Sequence, residues 1–150
     1  MLSFEEDMSK TDYKKILADY FADKPDVLCA YIFGSVARGK ETAHSDVDIA
    51  VLFNDSVSPS EYTERQISLF VDLSELLCVN VDIIVLNQAT PYLRFQVIQS
   101  GVKVYENPKR KDRAFEARSI VEFFDFLPVK NKLESSVLKR IKEGGWTKRN

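Results

Sequence analysis

Two aspartates one residue apart, Asp46 and Asp48, lead into the apolar run "DVDIAVLF" at 46–53, and a Gly34-Ser35 pair closes an earlier run, "VLCAYIF" at 27–33. Side chains alternate between the faces of a strand, so Asp46 and Asp48 share one face while Val47, Ile49 and Val51 share the other. Two carboxylates a few ångströms apart repel each other unless a cation lies between them. Mg²⁺ suits that place, because it takes oxygen ligands and completes its shell with water and substrate phosphates. Without a cation the same pair is two solvated acids at a loop–strand junction, and the Asp-x-Asp pattern alone does not decide between the two.

Gly34-Ser35 stands where the chain must turn after a strand, and glycine allows positive φ or a close approach of backbone to a ligand. A helix beginning near Ser35 would aim free N–H groups at an anion, with the Ser35 hydroxyl as a further donor, so the pair reads as a phosphate seat. Arg38 reaches either a triphosphate or a local carboxylate. Gly39 reads as turn chemistry. His44, the one histidine, has no second His or Cys nearby and reads as solvent-exposed. In "VNVDIIVL" at 79–86, Asp82 has the opposite parity to Val81, Ile83 and Val85, so it can face the side that carries Asp46 and Asp48 while those three face a core.

The elements that must hold these residues alternate between helix and strand. Tyr13, Ile16, Leu17, Tyr20 and Phe21 fall at helical spacing, with Ser9 or Thr11 as cap and Pro25 beyond the end. Segments 27–33, 46–53 and 79–87 read as strands, and "VKVYE" at 102–106 as a short edge strand. Ser58, Pro59 and Glu61 form a capping-box pattern for a helix running to Leu77. Thr90, Pro91 and Gly101 bound another helix. Beyond Pro108 two further helices are expected, broken at Pro128 and ended near Gly144.

The chain has 150 residues, 45% hydrophobic and 29% charged, which is the composition of one soluble globular domain with a real core. No apolar run approaches the roughly 20 residues of a membrane span. The N-terminus "MLSFEEDMSK" carries acids where an export signal would carry positive charge, so a cytoplasmic protein is expected. Cys29 and Cys78 lie in apolar runs without metal-site spacing and read as reduced core residues. The net charge of -2 is unevenly spread: residues 1–108 hold 9 basic and 17 acidic side chains, and residues 109–150 hold 12 and 6. The C-terminal segment is thus either a contact surface for something acidic or a solvated helix face.

Gly34-Ser35, ten intervening residues and Asp46-x-Asp48 resemble the signature of the nucleotidyltransferase superfamily that includes DNA polymerase β. "GSVARGKETAHSDVDIAV" is similar to its minimal, MNT-type branch, and the similarity covers about residues 10–106. The resemblance implies an α/β (α+β) nucleotidyltransferase fold, a mixed sheet of about four strands flanked by helices. Residues 1–108 would form that domain and 109–150 a C-terminal helical extension, either part of the same compact unit or a partner-binding arm.

It implies Asp46, Asp48 and Asp82 as catalytic and metal-binding residues, with Asp82 in reach of the attacking hydroxyl as general base. Gly34, Ser35 and Arg38 would bind nucleotide. Two Mg²⁺ ions, or Mn²⁺, about 3.5–4 Å apart would serve attack by a hydroxyl on the α-phosphate of ATP. MNT antitoxins of this branch transfer AMP to a tyrosine of a HEPN-domain ribonuclease toxin, so a hetero-oligomer with such a toxin is expected, with no membrane or direct nucleic-acid partner. A small-molecule nucleotidyltransferase and a non-catalytic binding antitoxin are the alternatives. Phe115, Ile120, Phe123, Phe124 and Leu127 make an apolar helix face, interleaved with Arg113 and Arg118, that suits a protein partner or the chain's own sheet.

Overall fold

The computed structural model describes residues 10–37, 39 and 46–144. In chain order the elements are α1 (Lys10–Ala22), β1 (Val27–Phe33), α2 (Gly34–Ala37), β2 (Val47–Phe53), α3 (Tyr62–Leu77), β3 (Val81–Val85), α4 (Pro91–Ser100), β4 (Val102–Glu106) and α5 (Arg113–Lys142). The four strands form one sheet in the order β3-β2-β1-β4. β1 is antiparallel to both β2 and β4, whereas β2 and β3 are parallel. This is the expected mixed four-stranded sheet, with β4 at an edge. Among the described residues no helix is long and apolar enough to cross a membrane.

Local sequence explains most boundaries. Glu61 accepts the Ser58 backbone N–H at 2.8 Å ahead of α3. Thr90 accepts the Leu93 N–H at 3.2 Å, with Pro91 at the first helical position of α4. Gly101 ends α4 at φ -81, so its value there is space rather than a left-handed turn: an added Cβ would lie 2.3 Å from the Val97 carbonyl oxygen. At the start of α1, Ser9 lies outside the described residues and Thr11 lies inside the helix.

The sheet is covered on both faces. Val47, Ile49, Val51 and Phe53 join Ile83, Val85 and Ile32 in a core closed by Tyr13, Leu17 and Phe21 of α1 and by Leu69, Leu73 and Leu77 of α3. The opposite face carries Cys29, Tyr31, Ala50, Leu52 and Leu86 beneath Val97 of α4 and Phe115 of α5. The side of β2 that holds Asp48 is therefore a second core along most of its length, and only its beginning is left for chemistry.

Two expectations are corrected, the helix break at Pro128 and the burial of Cys78. The segment after Pro108 is one helix, 113–142, which passes through Pro128 without a break. Pro128 is exposed, so the Phe124 carbonyl that loses its N–H partner faces water rather than the core, which is where a helix tolerates proline best. The buried stripe of α5 is Phe115, Ser119 and Phe123 at four-residue steps, whereas Ile120 and Phe124 are exposed. Cys78 is exposed as well. It caps α3 in the left-handed conformation, φ 55, one residue past the end of the apolar stripe.

A polar cluster fastens the first half of α5 to the sheet. The Tyr31 hydroxyl donates to Glu116 at 2.6 Å, and the Lys103 ammonium lies 2.8 Å from the same carboxylate. Arg94 of α4 donates to the Leu86 carbonyl at 2.9 Å, the Asn87 carbonyl at 3.1 Å and Glu122 of α5 at 3.0 Å. Phe95 and Phe123 stack with centroids 3.9 Å apart.

The hydrogen bond from Lys103, then that from Tyr31, holds the Glu116 carboxyl below its ordinary value of 4.5. A carboxylate lowered in the folded state stabilises that state above its unfolded pKa, and the benefit is lost as pH falls through the folded value. Glu116→Gln should therefore lower Tm at pH 7, and the gap between variant and parent should close as pH is taken below 4.5. A gap of constant size across that range would show that the ion pair contributes nothing.

Candidate active site

Asp48 lies at the start of β2, between the ends of two other strands. On one side it is in parallel register with Asp82 of β3, and on the other it pairs with Phe33, the last residue of β1. Neighbouring strands run about 4.8 Å apart, so residues in register present their side chains side by side on one face. Asp48 is half-buried and Asp82 is exposed. The Val47 N–H donates to the Asn80 carbonyl at 2.9 Å, which joins the two strand starts and fixes the register of the two acids.

Gly34 follows Phe33 directly and adopts φ +75, a conformation that side chains disfavour. A Cβ added there would stand 2.1 Å from Asp48 Oδ2. Backbone thus occupies space against the carboxylate that no other residue leaves open. Both reasons for a glycine, the turn and the close approach, apply at this position. The helix that Gly34 opens is a single turn, Gly34–Ala37, so any anion it faces would meet individual N–H donors rather than the dipole of a long helix.

Asp46 immediately precedes β2 and is exposed. Among the described residues no group of three or more His, Cys, Asp and Glu side chains stands close enough to hold a metal ion. The structure therefore brings Asp48 and Asp82 together by register and leaves Asp46 two residues before Asp48, just outside the strand, with no closed cage of three among the described residues. Arg38 and His44 lie outside the described residues, as does any account of the Ser35 side chain.

Gln66 was not singled out by the sequence. Its side-chain amide donates to the Ile83 carbonyl at 2.5 Å, holding the edge strand β3 beside Asp82 from the opposite face. The available signal was a polar residue within the apolar stripe of α3, four residues after the buried Tyr62 and three before the buried Leu69.

Residues 15–110 match the family model described as polymerase beta nucleotidyltransferase. The chain belongs to the polymerase beta nucleotidyltransferase family. A Methanocaldococcus jannaschii protein, provisionally named a protein adenylyltransferase, is 42% identical over 69 residues, 41% of this chain and 65% of the relative. The chain thus spans just under two thirds of that relative's length. Protein adenylyltransferase MntA of Shewanella oneidensis is 28% identical over 113 residues, 75% of this chain and 78% of the relative. Among solved structures, a complex of a tri-AMPylated Shewanella oneidensis HEPN toxin with its MNT antitoxin matches at TM-score 0.62 and 23% identity. That match covers 86% of this chain and 95% of the other, and it is a likeness of fold. The family member described here shares with those chains the architecture that the Gly34-Ser35 and Asp46-x-Asp48 pattern implied.

Proposed function

We propose that the protein transfers AMP from ATP to a tyrosine hydroxyl of a HEPN-domain ribonuclease toxin, the phenol oxygen displacing pyrophosphate from the α-phosphate, and so neutralises it. The observation that carries this reading is the pairing of Asp48 with Asp82 in register, with Gly34 packed against Asp48, in a chain similar over 75% of its length to a protein adenylyltransferase. The fold likeness to an MNT antitoxin solved with its AMPylated toxin supports the choice of acceptor and of a hetero-oligomer. In this reading residues 1–108 are the catalytic unit and 109–150 the extension that meets the partner.

The donor set fits Mg²⁺. Hard carboxylate oxygens on a face open to solvent suit an ion that is held by one or two carboxylates plus substrate phosphates rather than by a protein cage. One or two of Asp46, Asp48 and Asp82 would hold it, and bound there it would neutralise charge on the phosphates and favour an ionised acceptor hydroxyl. Asp82 stands on the edge strand, where an incoming hydroxyl can reach it and leave its proton. Gly34 and Ser35 offer backbone and hydroxyl donors to the triphosphate, and Arg38 supplies a cation to it.

The test uses ATP labelled at the α or the γ phosphate, with Mg²⁺, and either a purified HEPN-domain toxin or a panel of aminoglycosides. Label from the α position alone, appearing on the protein acceptor, is the expected result. Label on an aminoglycoside, or from the γ position, would replace the reading with small-molecule nucleotidyl transfer or with phosphoryl transfer. In the same assay Ser35→Ala should lower turnover or ATP affinity about tenfold while Tm stays within a few degrees, the loss of one hydrogen bond to a charged group. Unchanged kinetics would return Ser35 to a role in the turn.

A further inference from the structure

Helix α5 is one element in two environments. Its first half is anchored by the buried Phe115, Ser119 and Phe123. Leu133, Val137 and Ile141 follow these three at a constant offset of 18 residues, about five turns at 3.6 residues per turn, so a regular helix presents them on the same face. From residue 131 to the end of α5 every residue is nonetheless exposed. Leu133, Val137 and Ile141 keep 59%, 46% and 55% of their surface open to solvent. The stripe that docks the helix on its own sheet thus continues over Leu133–Ile141, about 12 Å, and none of the described residues covers it.

The charges around the stripe narrow what can cover it. Residues 128–143 carry Lys130, Lys132, Lys139, Arg140 and Lys142 against Glu134 and Glu143, net +3. Two such arms packed together would set like charges against each other. A nucleic acid calls for a continuous positive track. Here the middle of the face is aliphatic, and Lys130 is already paired with Glu134 at 2.6 Å. An amphipathic helix with apolar residues at four-residue steps and a basic rim fits an apolar groove bordered by carboxylates.

We infer that the distal half of α5, through Leu133, Val137 and Ile141, is the element that docks the HEPN-domain toxin, seated in an acid-rimmed apolar groove of that partner. The inference rests on the adenylyltransferase reading for the identity of the partner. Lys130 lies over the ring of Tyr92, near the start of α4 and beyond the end of β3, whereas Asp48 and Asp82 stand at the beginnings of their strands. The arm therefore leaves the domain at the end of the sheet away from the acids. It raises the local concentration of the acceptor and takes no part in the chemistry.

The test is a full-length L133D/V137D/I141D variant, checked for unchanged circular dichroism and Tm, against the purified HEPN-domain protein. Calorimetric affinity should fall at least about 100-fold, since three apolar anchors are lost, while AMP transfer at saturating toxin stays within about threefold of the parent. Parent-like affinity would overturn the docking role and leave the proposed transfer intact. Stripe-dependent binding without any AMP transfer by the parent would uphold the docking and overturn the transfer. Self-association of the parent that the variant abolishes, with toxin affinity unchanged, would assign the stripe to a second copy and overturn the inference. Salt-sensitive RNA binding lost in the variant, again with toxin affinity unchanged, would overturn it as well.

Discussion

Asp48→Asn is expected to lower AMP transfer by about 10³-fold while the fold and Tm remain close to the parent's. The substitution is nearly isosteric at a half-buried position at the start of β2, so packing of the strand against Phe33 and Asp82 is kept. What it removes is a negative charge and a hard oxygen ligand, and a neutral amide is a poor partner for Mg²⁺. Removal of a single preorganised electrostatic partner costs about 10²–10³-fold in other active sites, and in the proposed role, as a ligand of the cation lying against Gly34, Asp48 belongs at or above the top of that range. Transfer kinetics together with a thermal melt check the expectation. Activity within tenfold of the parent in a folded variant would mean that Asp48 is a structural acid.

Gly34→Ala should damage activity and stability together, and Gly39→Ala separates the two effects. Both glycines adopt the left-handed conformation, φ +75 and φ +69. An L side chain there costs about 1–2 kcal/mol, or several degrees of Tm in a chain of this size. They differ in surroundings: a Cβ at Gly34 would stand 2.1 Å from Asp48 Oδ2, while a Cβ at Gly39 meets nothing within 4 Å. The carboxylate must give way at Gly34, and a displacement of about 1 Å is enough to cost 10²-fold in rate. Gly34→Ala is accordingly expected to lose about 10²-fold or more in AMP transfer, with Gly39→Ala showing a similar fall in Tm and near-parental turnover. Equal activity in the two variants would contradict the proposed role of Asp48 beside Gly34.

Much of this arrangement could be read from residue types at short range. Strand parity separated Asp82 from Val81, Ile83 and Val85, and the structure buries those three and exposes Asp82. Thr90, Pro91 and Gly101 bounded α4 because caps and proline act within a few residues. What could not be read depends on elements distant in sequence. Ala50 and Leu52 share the face of Asp48, and only the return of α4 and α5 makes that face a second core. The continuity of α5 through Pro128 depends on which side of the helix meets water, which spacing alone does not give. Cys78 reads as apolar with its neighbours, yet it lies just beyond the helix end and turns outward. The register that sets Asp48 beside Asp82 comes from a parallel pairing of residues 34 apart in sequence.

The most direct measurement is the intact mass of the purified HEPN-domain protein after incubation with this chain, ATP and Mg²⁺, followed by peptide mapping of any modified residue. Addition of one or more AMP units on tyrosine, absent with Asp48→Asn and absent without divalent cation, is the result this account predicts. A toxin of unchanged mass that is nevertheless bound and inhibited by the chain would contradict it, and would make the protein an antitoxin that acts by binding alone.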